Sequence, residues 1–494
     1  MKILLIIFCF LLFGLQSKAQ NNNPLRIEVD ATKNNRVYGI VLENRAFVIL
    51  NNKNSNSIKG EEWMMRTYDS KFSKINNTKL FLPRSFTPFE YKVSGDSILW
   101  LCFSEPNGRR AGFVLYRYNL QTGLIWKKYV KGSRKSKLES FEVVGNKVVI
   151  LGDNIDAIAD QMNQSNMPFG IIFTYPNISK NSAIISSISS SNNSEASIII
   201  EMFKGDDKGV FLYTYLKDAS EPMINKLENI DVNIIDGGFV ESEDGSLFLM
   251  GTFNYEKPSK NINDNSTSIG TYIGKIEKGA LSFFKTNEFS DYKNIYATLS
   301  AKEQRQIKNK TDKGKNVQIA FKMLSHKKAI SQGDLIVMAA ETYYPEYHYE
   351  SDYDSRGYMY QQQVFDGYRT TNCIVSAYNN KGDIVWDNYM HTSEILEYSL
   401  QENVTVIPQD DSSIVLAYYY NGYVYNKTVN GNTIVFKKSK DKMETLLGEN
   451  VESENYGRLK FWYDNYYVLS GYQVVYGNGG KKRKVYFFNL ITFD

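Results

Sequence analysis

Asp96-Ser-Ile-Leu-Trp-Leu, Asn146-Lys-Val-Val-Ile-Leu and Ala196-Ser-Ile-Ile-Ile follow one another at intervals of fifty residues and share one design, a turn residue followed by an unbroken apolar run. The unit recurs on both sides, at Ala46-Phe-Val-Ile-Leu, Gly245-Ser-Leu-Phe-Leu-Met, Asp334-Leu-Ile-Val-Met, Ser412-Ser-Ile-Val-Leu-Ala and Tyr466-Tyr-Val-Leu-Ser. With centres at Phe47, Ile98, Val148, Ile198, Leu247, Leu335, Val415 and Val468, the gaps are 51, 50, 50, 49, 88, 80 and 53 residues. Short apolar runs bounded by turn residues read as strands buried on both faces. Their fixed period overrides the length prior of about 150 residues per domain and marks a repeat architecture.

A second unit follows several of these strands. Gly112-Phe-Val-Leu-Tyr-Arg-Tyr118-Asn119-Leu-Gln-Thr-Gly123-Leu-Ile-Trp126 matches Cys373-Ile-Val-Ser-Ala-Tyr378-Asn379-Asn-Lys-Gly382-Asp-Ile-Val-Trp386. Weaker copies lie at Phe211–Tyr215, at Tyr272–Ile276 with Gly279, and at Val424–Thr428 with Gly431. Asn and Gly allow the positive φ of a tight turn, so each copy reads as a β-hairpin. Repeated four-strand units of this length predict an all-β propeller of seven or eight blades, depending on whether the N-terminal strands build a blade or complete the last one. The competing architecture, tandem β-sandwiches, calls for linkers. No Pro/Gly/Ser linker occurs, and the chain has only ten prolines.

The two long gaps predict insertions in a single domain spanning residues 20–494, at about 288–331 and 341–369. The first holds one helix, announced by the capping box Ser300-Ala301-Lys302-Glu303. It is cationic, with Lys302, Arg305, Lys308, Lys310, Lys313 and Lys315, as a solvated helix on a blade edge would be. The second is rich in tyrosine: Tyr343, Tyr344, Tyr347, Tyr349, Tyr353, Tyr358 and Tyr360 alternate with acids that include Asp352 and Asp354. It reads as a loop projecting from one face of the propeller, its rings covering apolar surface while hydroxyls and carboxylates fix orientation. These residues are the candidate binding site for a protein or glycan partner.

Met1–Gln20 has a positive start at Lys2, an apolar run from Ile3 to Leu15 and small residues at Ser17 and Ala19, the order of an export signal cleaved after Ala19. Cys9 sits inside the apolar core, without the small-residue approach that precedes an acylated cysteine. Loss of residues 1–19 removes Lys2 and Lys18, leaving 56 Lys and Arg against 54 Asp and Glu. Such a balance argues against nucleic acid as a partner. No later stretch reaches transmembrane length. Cys102 and Cys373 do not make a disulfide framework; two buried thiols and one long bridge both fit the sequence.

Catalytic patterns do not emerge. His326, His348 and His391 lack partners at metal-ligand spacing, and Gly-x-Ser-x-Gly and phosphate-binding glycine loops are missing. Asp352-Tyr-Asp354-Ser-Arg356-Gly357 begins like a calcium loop, but Arg356 and Gln363 occupy positions that need oxygen donors and a glutamate. No cofactor or metal is expected. With 54 acidic residues, paired carboxylates for polysaccharide chemistry are decided by convergence in the central channel, where three or more within reach of one pocket would mark an enzyme.

The segments Tyr118–Trp126 and Tyr378–Trp386 resemble the quinoprotein-type propeller repeat, in which a hairpin glycine and a following tryptophan dock neighbouring blades. The resemblance implies a propeller. The vicinal cysteine pair and calcium site of the quinone-dependent dehydrogenases have no counterpart here, so it points to the non-enzymatic scaffolds of envelope assembly over quinone-linked redox. The export signal, basic insertion, Glu341-Thr-Tyr-Tyr-Pro-Glu-Tyr and Phe365-Asp-Gly-Tyr together look like exported propeller-like proteins of Bacteroidetes, a likeness that implies fold and compartment and no activity. Those bacteria often append a C-terminal sorting domain. Here Lys484-Val-Tyr-Phe-Phe-Asn-Leu-Ile reads as a blade strand, which favours the periplasm over secretion or outer-membrane association. The expectation is a non-catalytic envelope scaffold; the alternative is a polysaccharide-acting propeller enzyme.

Overall fold

The computed structural model describes residues 25–31, 36–43, 46–52, 60–95, 97–105, 112–131, 137–153, 168–176, 182–189, 194–202, 209–242, 245–255, 267–315, 317–353, 356–445, 448–477 and 480–493. The export-signal reading, Cys9 and Asp354 lie outside them. The described strands form eight sheets, and the centres of the fifty-residue repeat fall on the second strand of each. Blade 1 is Val37–Val41, Phe47–Asn52, Glu61–Tyr68 and Lys74–Leu82; blade 2 is Thr87–Ser94, Ile98–Ser104, Gly112–Asn119 and Ile125–Lys131. Blade 3 has Lys137–Val144 and Lys147–Asp153, with Ile172–Thr174 parallel to the latter. Blade 4 is Ser182–Ser189, Glu195–Met202, Gly209–Leu216 and Met223–Leu227; blade 5 is Asn233–Glu241, Leu247–Asn254, Gly270–Glu277 and Ala280–Glu288. In blade 6 the first position is shared by Met323–Ser325 and Ile330–Gln332, followed by Leu335–Tyr353, Met359–Tyr378 and Ile384–Glu397. Blade 7 is Thr405–Pro408, Ile414–Tyr420, Tyr423–Asn430 and Thr433–Lys442. Blade 8 is Asn450–Tyr463, Tyr466–Tyr476 and Lys482–Thr492, completed by the N-terminal strand Arg26–Asp30. Both options for the N-terminus are therefore realised: its first strand closes blade 8 and the next four build blade 1.

The core explains why the second strands are apolar throughout. Alternate residues point to opposite faces, and each face meets a different neighbour. Val48 and Leu50 pack towards blade 2, whereas Phe47 and Ile49 pack towards blade 8. In blade 4, Ile198 and Ile200 face blade 3 and Ile199 faces blade 5. In blade 6, Ile336, Met338 and Ala340 face blade 5, while Val337 and Ala339 face blade 7. Eight buried clusters result, one for each successive pair of blades; that of Val29, Phe47, Trp462 and Phe488 joins the last blade to the first. The ring is closed, and the described residues form an all-β propeller of eight blades.

Carboxylates staple neighbouring blades beside these clusters. Glu90 of blade 2 accepts from Ser140 Oγ (3.0 and 2.9 Å) and Phe141 N (3.1 Å) of blade 3. Asp236 of blade 5 accepts from Ser325 N (2.6 Å) and Oγ (2.7 Å) of blade 6. Glu341 of blade 6 accepts from Asn403 N (2.7 Å) and Val404 N (2.8 Å), which lead into blade 7. Glu454 of blade 8 accepts from Tyr419 Oη and from Gly422 N (3.1 Å) of blade 7. A buried carboxylate needs such donors, and taking them from the adjacent blade fixes the angle between sheets.

The hairpin glycines act as the sequence predicts. Gly382 has φ +80°, and an added Cβ would lie 3.0 Å from Ile273 and Phe283 of blade 5. The first insertion packs between blades 5 and 6: Asp387 accepts from Lys293 N (2.8 Å), Asn294 N (2.7 Å) and Ile295 N (3.1 Å). Its helix Ala301–Thr311 is capped by Ser300 and Glu303 in both directions, with Lys302, Arg305, Lys308 and Lys310 exposed. Cys102 and Cys373 are unbridged and buried in different interfaces, and desolvation pushes both thiols well up.

Candidate functional site

The tyrosine-rich insertion is not a loop, as the sequence suggested, but a continuation of the second and third strands of blade 6. Leu335–Tyr353 and Met359–Tyr378 pair from Ile336↔Tyr378 out to Tyr353↔Met359. They are 19 and 20 residues long, against 7 for Ile98–Ser104. Tyrosine, valine and phenylalanine favour strands, and Gly357 (φ +82°) supports the turn at the tip. Residues 344–353 carry the arm roughly 30 Å beyond the blade at about 3.3 Å per residue.

Alternation makes the arm two-sided. One face carries Tyr347, Tyr349 and Tyr353, opposite Phe365, Gln363 and Met359. At its root the rings interlock: Tyr343 meets Tyr368 at 5.6 Å, Tyr368 meets Phe365 at 5.0 Å, and Phe365 meets Tyr347 at 5.4 Å and Tyr398 at 6.0 Å. Towards the tip the rings of Tyr349 and Tyr353 are open, 67 % and 66 % exposed, and so is the Met359 side chain at 62 %. The other face carries His348, Glu350 and Asp352. A bulge between Glu346 and Tyr347 leaves Asp366 without a rung of its own and brings its carboxylate to His348. Tyr360 Oη is 3.5 Å from Asp352, and Arg369 pairs with Glu346, whose pKa that bond lowers.

Of the candidate residues, Tyr344, Tyr347, Tyr349, Tyr353, Tyr358 and Tyr360 are exposed on this arm. Asp352 belongs to the acidic face. Tyr343 is buried at the root, where desolvation pushes its hydroxyl up to about 12, and it supports the others from beneath. Sequence reading missed Phe365, Met359 and Tyr398; the strand register puts the first two on the aromatic face, and the ring contact with Phe365 adds Tyr398.

The axial channel offers the other place for chemistry. The first strands of most successive sheets contact one another and so form the inner ring. On blades 2 to 4, Lys92 reaches Glu142 at 2.7 Å and Glu90 at 3.2 Å, while Ser187 and Ser189 donate to Glu142 at 2.6 and 2.7 Å. Burial works to lower the Lys92 pKa, but the two carboxylates outweigh it and hold it raised. Two carboxylates converge at this place, each engaged by donors from the next blade. Elsewhere the axis is crossed: Lys328 of blade 6 reaches Glu43 of blade 1 at 2.7 and 2.5 Å, and Lys460 of blade 8 lies 6.0 Å from the Tyr91 ring of blade 2. These pairs join blades that are not neighbours in the ring. Among the described residues, no group of three His, Cys, Asp or Glu could hold a metal ion, and no helix is long and apolar enough to cross a membrane.

No protein-family model and no curated sequence matches the chain. Among solved structures it is similar to the β-propeller domain of the Trilobed protease from Pyrococcus furiosus, at 9% identity over 93% of this chain and 94% of that one, with a TM-score of 0.35. It is similar to a eukaryotic initiation factor at 11% identity over 97% and 93% of the two chains, TM-score 0.38. It is also similar to prolyl oligopeptidase B from Galerina marginata at 8% identity and TM-score 0.29, with 92% of this chain matched to 55% of that one. The assignment of this chain to the propellers rests on its own eight sheets and eight interfaces.

Proposed function

We propose that this protein is an exported, non-catalytic propeller scaffold that holds a protein or glycan partner in the cell envelope, with the blade 6 arm as its contact. The observation that carries the reading is the row of exposed rings Tyr347, Tyr349 and Tyr353, with the Met359 side chain beside them, on a two-stranded arm clear of the propeller body. An isolated two-stranded hairpin is marginal in water, and large apolar groups grouped at a surface mark interaction sites. The export signal supports a periplasmic location. A polysaccharide-acting enzyme would bring three or more acidic side chains to one pocket, whereas at Lys92 the carboxylates that converge are Glu90 and Glu142, both also engaged by serines.

The test is excision of the arm by joining Tyr344 to Arg369, a cross-strand pair, through an Asn-Gly turn. The excised protein should keep its melting temperature and lose the partner that cross-links to the intact protein in native envelopes. Capture of the same partner by the excised protein would overturn the proposal.

A further inference from the structure

The inner side of the arm is an open sheet edge. Met323–Ser325 pairs with residues 340–342 of the second strand, and Ile330–Gln332 with residues 335–337. The last backbone bond on that side runs from Tyr343 N to Lys322 O at 3.0 Å. From Tyr344 to Tyr353, no strand among the described residues pairs with this edge. Every second residue there directs its N–H and C=O away from the hairpin.

Proteins blunt exposed edges with lysine, proline or a cover, because an open edge invites another chain. Here Pro345 and the bulge between Glu346 and Tyr347 lie at the root, and farther out the charges on the edge strand are the acids Glu350 and Asp352. Glu346 to Tyr353 contains neither lysine nor proline. Its side chains alternate between the rings of Tyr347, Tyr349 and Tyr353 and the acceptors of Glu350 and Asp352. Among the described residues, those two carboxylates have His348 and Tyr360 as side-chain partners and no lysine or arginine.

The geometry points to a cationic, extended polypeptide segment of a partner protein, which adds as a further strand along Glu346–Tyr353. This rests on the arm being the contact and narrows its partner class. The incoming main chain satisfies the open N–H and C=O groups, while its side chains alternate: apolar ones cover the three tyrosines, and Lys or Arg face Glu350 and Asp352. A glycan has no ladder of alternating amide donors and acceptors to offer this edge.

The test uses the full chain and synthetic decapeptides. One alternates Lys and Val, one alternates Glu and Val, and two are Lys/Val peptides N-methylated on odd or on even residues; a chito-oligosaccharide hexamer is the glycan probe. Binding is read by fluorescence anisotropy and by hydrogen exchange. The Lys/Val peptide should bind at least about tenfold more tightly than the Glu/Val peptide and protect alternate amides between residues 346 and 353. One methylated peptide should lose binding while the other keeps it, since only one set of amides faces the edge. The double variant Glu350→Gln, Asp352→Asn should weaken binding about tenfold and flatten its salt dependence.

Equal binding by both methylated peptides, protection on another blade, or binding by the oligosaccharide alone would overturn edge addition. A dimer in sedimentation velocity that the double variant abolishes would assign the edge to a second copy instead. If arm excision removes partner capture but no peptide binds, the arm stands as the contact and edge addition falls. If excision leaves capture unchanged, both fall.

Discussion

Nδ1 of His348 stands 2.6 Å from Oδ1 of Asp366 across the two strands of the arm, while its Nε2 stands 3.1 Å from Oε1 of Glu350 on its own strand. Both ring nitrogens face carboxylates, so the site is satisfied in full when both carry protons. The hydrogen bonds to Glu350 and then Asp366 raise the pKa above its ordinary 6.5. A raised pKa in the folded arm means that its contribution is complete below 6.5 and is lost as pH rises through the folded value. Arm amides, corrected for intrinsic rates, should therefore exchange faster above that value, and His348→Gln should remove the pH dependence. An NMR titration placing His348 at or below its ordinary value would contradict this.

Glu142 holds three blades at once, through Lys92, Ser187 and Ser189, with its side chain only 1% exposed. Glu142→Ala leaves the partly buried Lys92 ammonium with Glu90 as its remaining counter-charge and takes the acceptor from two hydroxyls. The expected loss is about 2–3 kcal/mol, below the usual figure for a broken buried pair because Lys92 retains some exposure. Glu142→Gln should lose roughly half as much, since the amide oxygen still accepts from a serine. Chemical denaturation midpoints check the order; an unchanged midpoint for Glu142→Ala would show that the staple is not structural.

Closure of the ring depends on Phe488, whose ring meets Phe47 at 4.7 Å and covers Gly39, where an added Cβ would come within 2.3 Å of it. Phe488→Ala opens a cavity and should cost about 3–5 kcal/mol. Gly39→Ala overfills the same joint and should cost about 1–3 kcal/mol. Limited proteolysis should then cut first in blades 1 and 8, whereas cleavage first between other blades would show that the joint is not the weak point.

Much of the fold was readable because a strand packed on both sides must be apolar at every position. That is why the centres from Phe47 to Val468 marked all eight second strands, and why Gly123 and Gly382 marked hairpins that need positive φ. The blade count stayed open between seven and eight because Arg26–Asp30 looks like any other short strand until its pairing with Lys482–Thr492 is seen. The tyrosines were picked out by composition alone. Their reading as a loop failed because charged and aromatic residues on an arm exposed on both faces show no buried stripe, and the bulge at Asp366 breaks simple alternation. The channel carboxylates carry no local signal at all: Glu90, Lys92, Glu142 and Ser187 come from three blades.

The central claim, that the arm is the contact, is tested most directly by site-specific photo-crosslinking in native envelopes from Tyr349, with Ile224 on the outer strand of blade 4 as a control that is also exposed. A discrete cross-linked partner from Tyr349 and none from Ile224 is the predicted result. A partner captured from Ile224 and not from Tyr349 would contradict it.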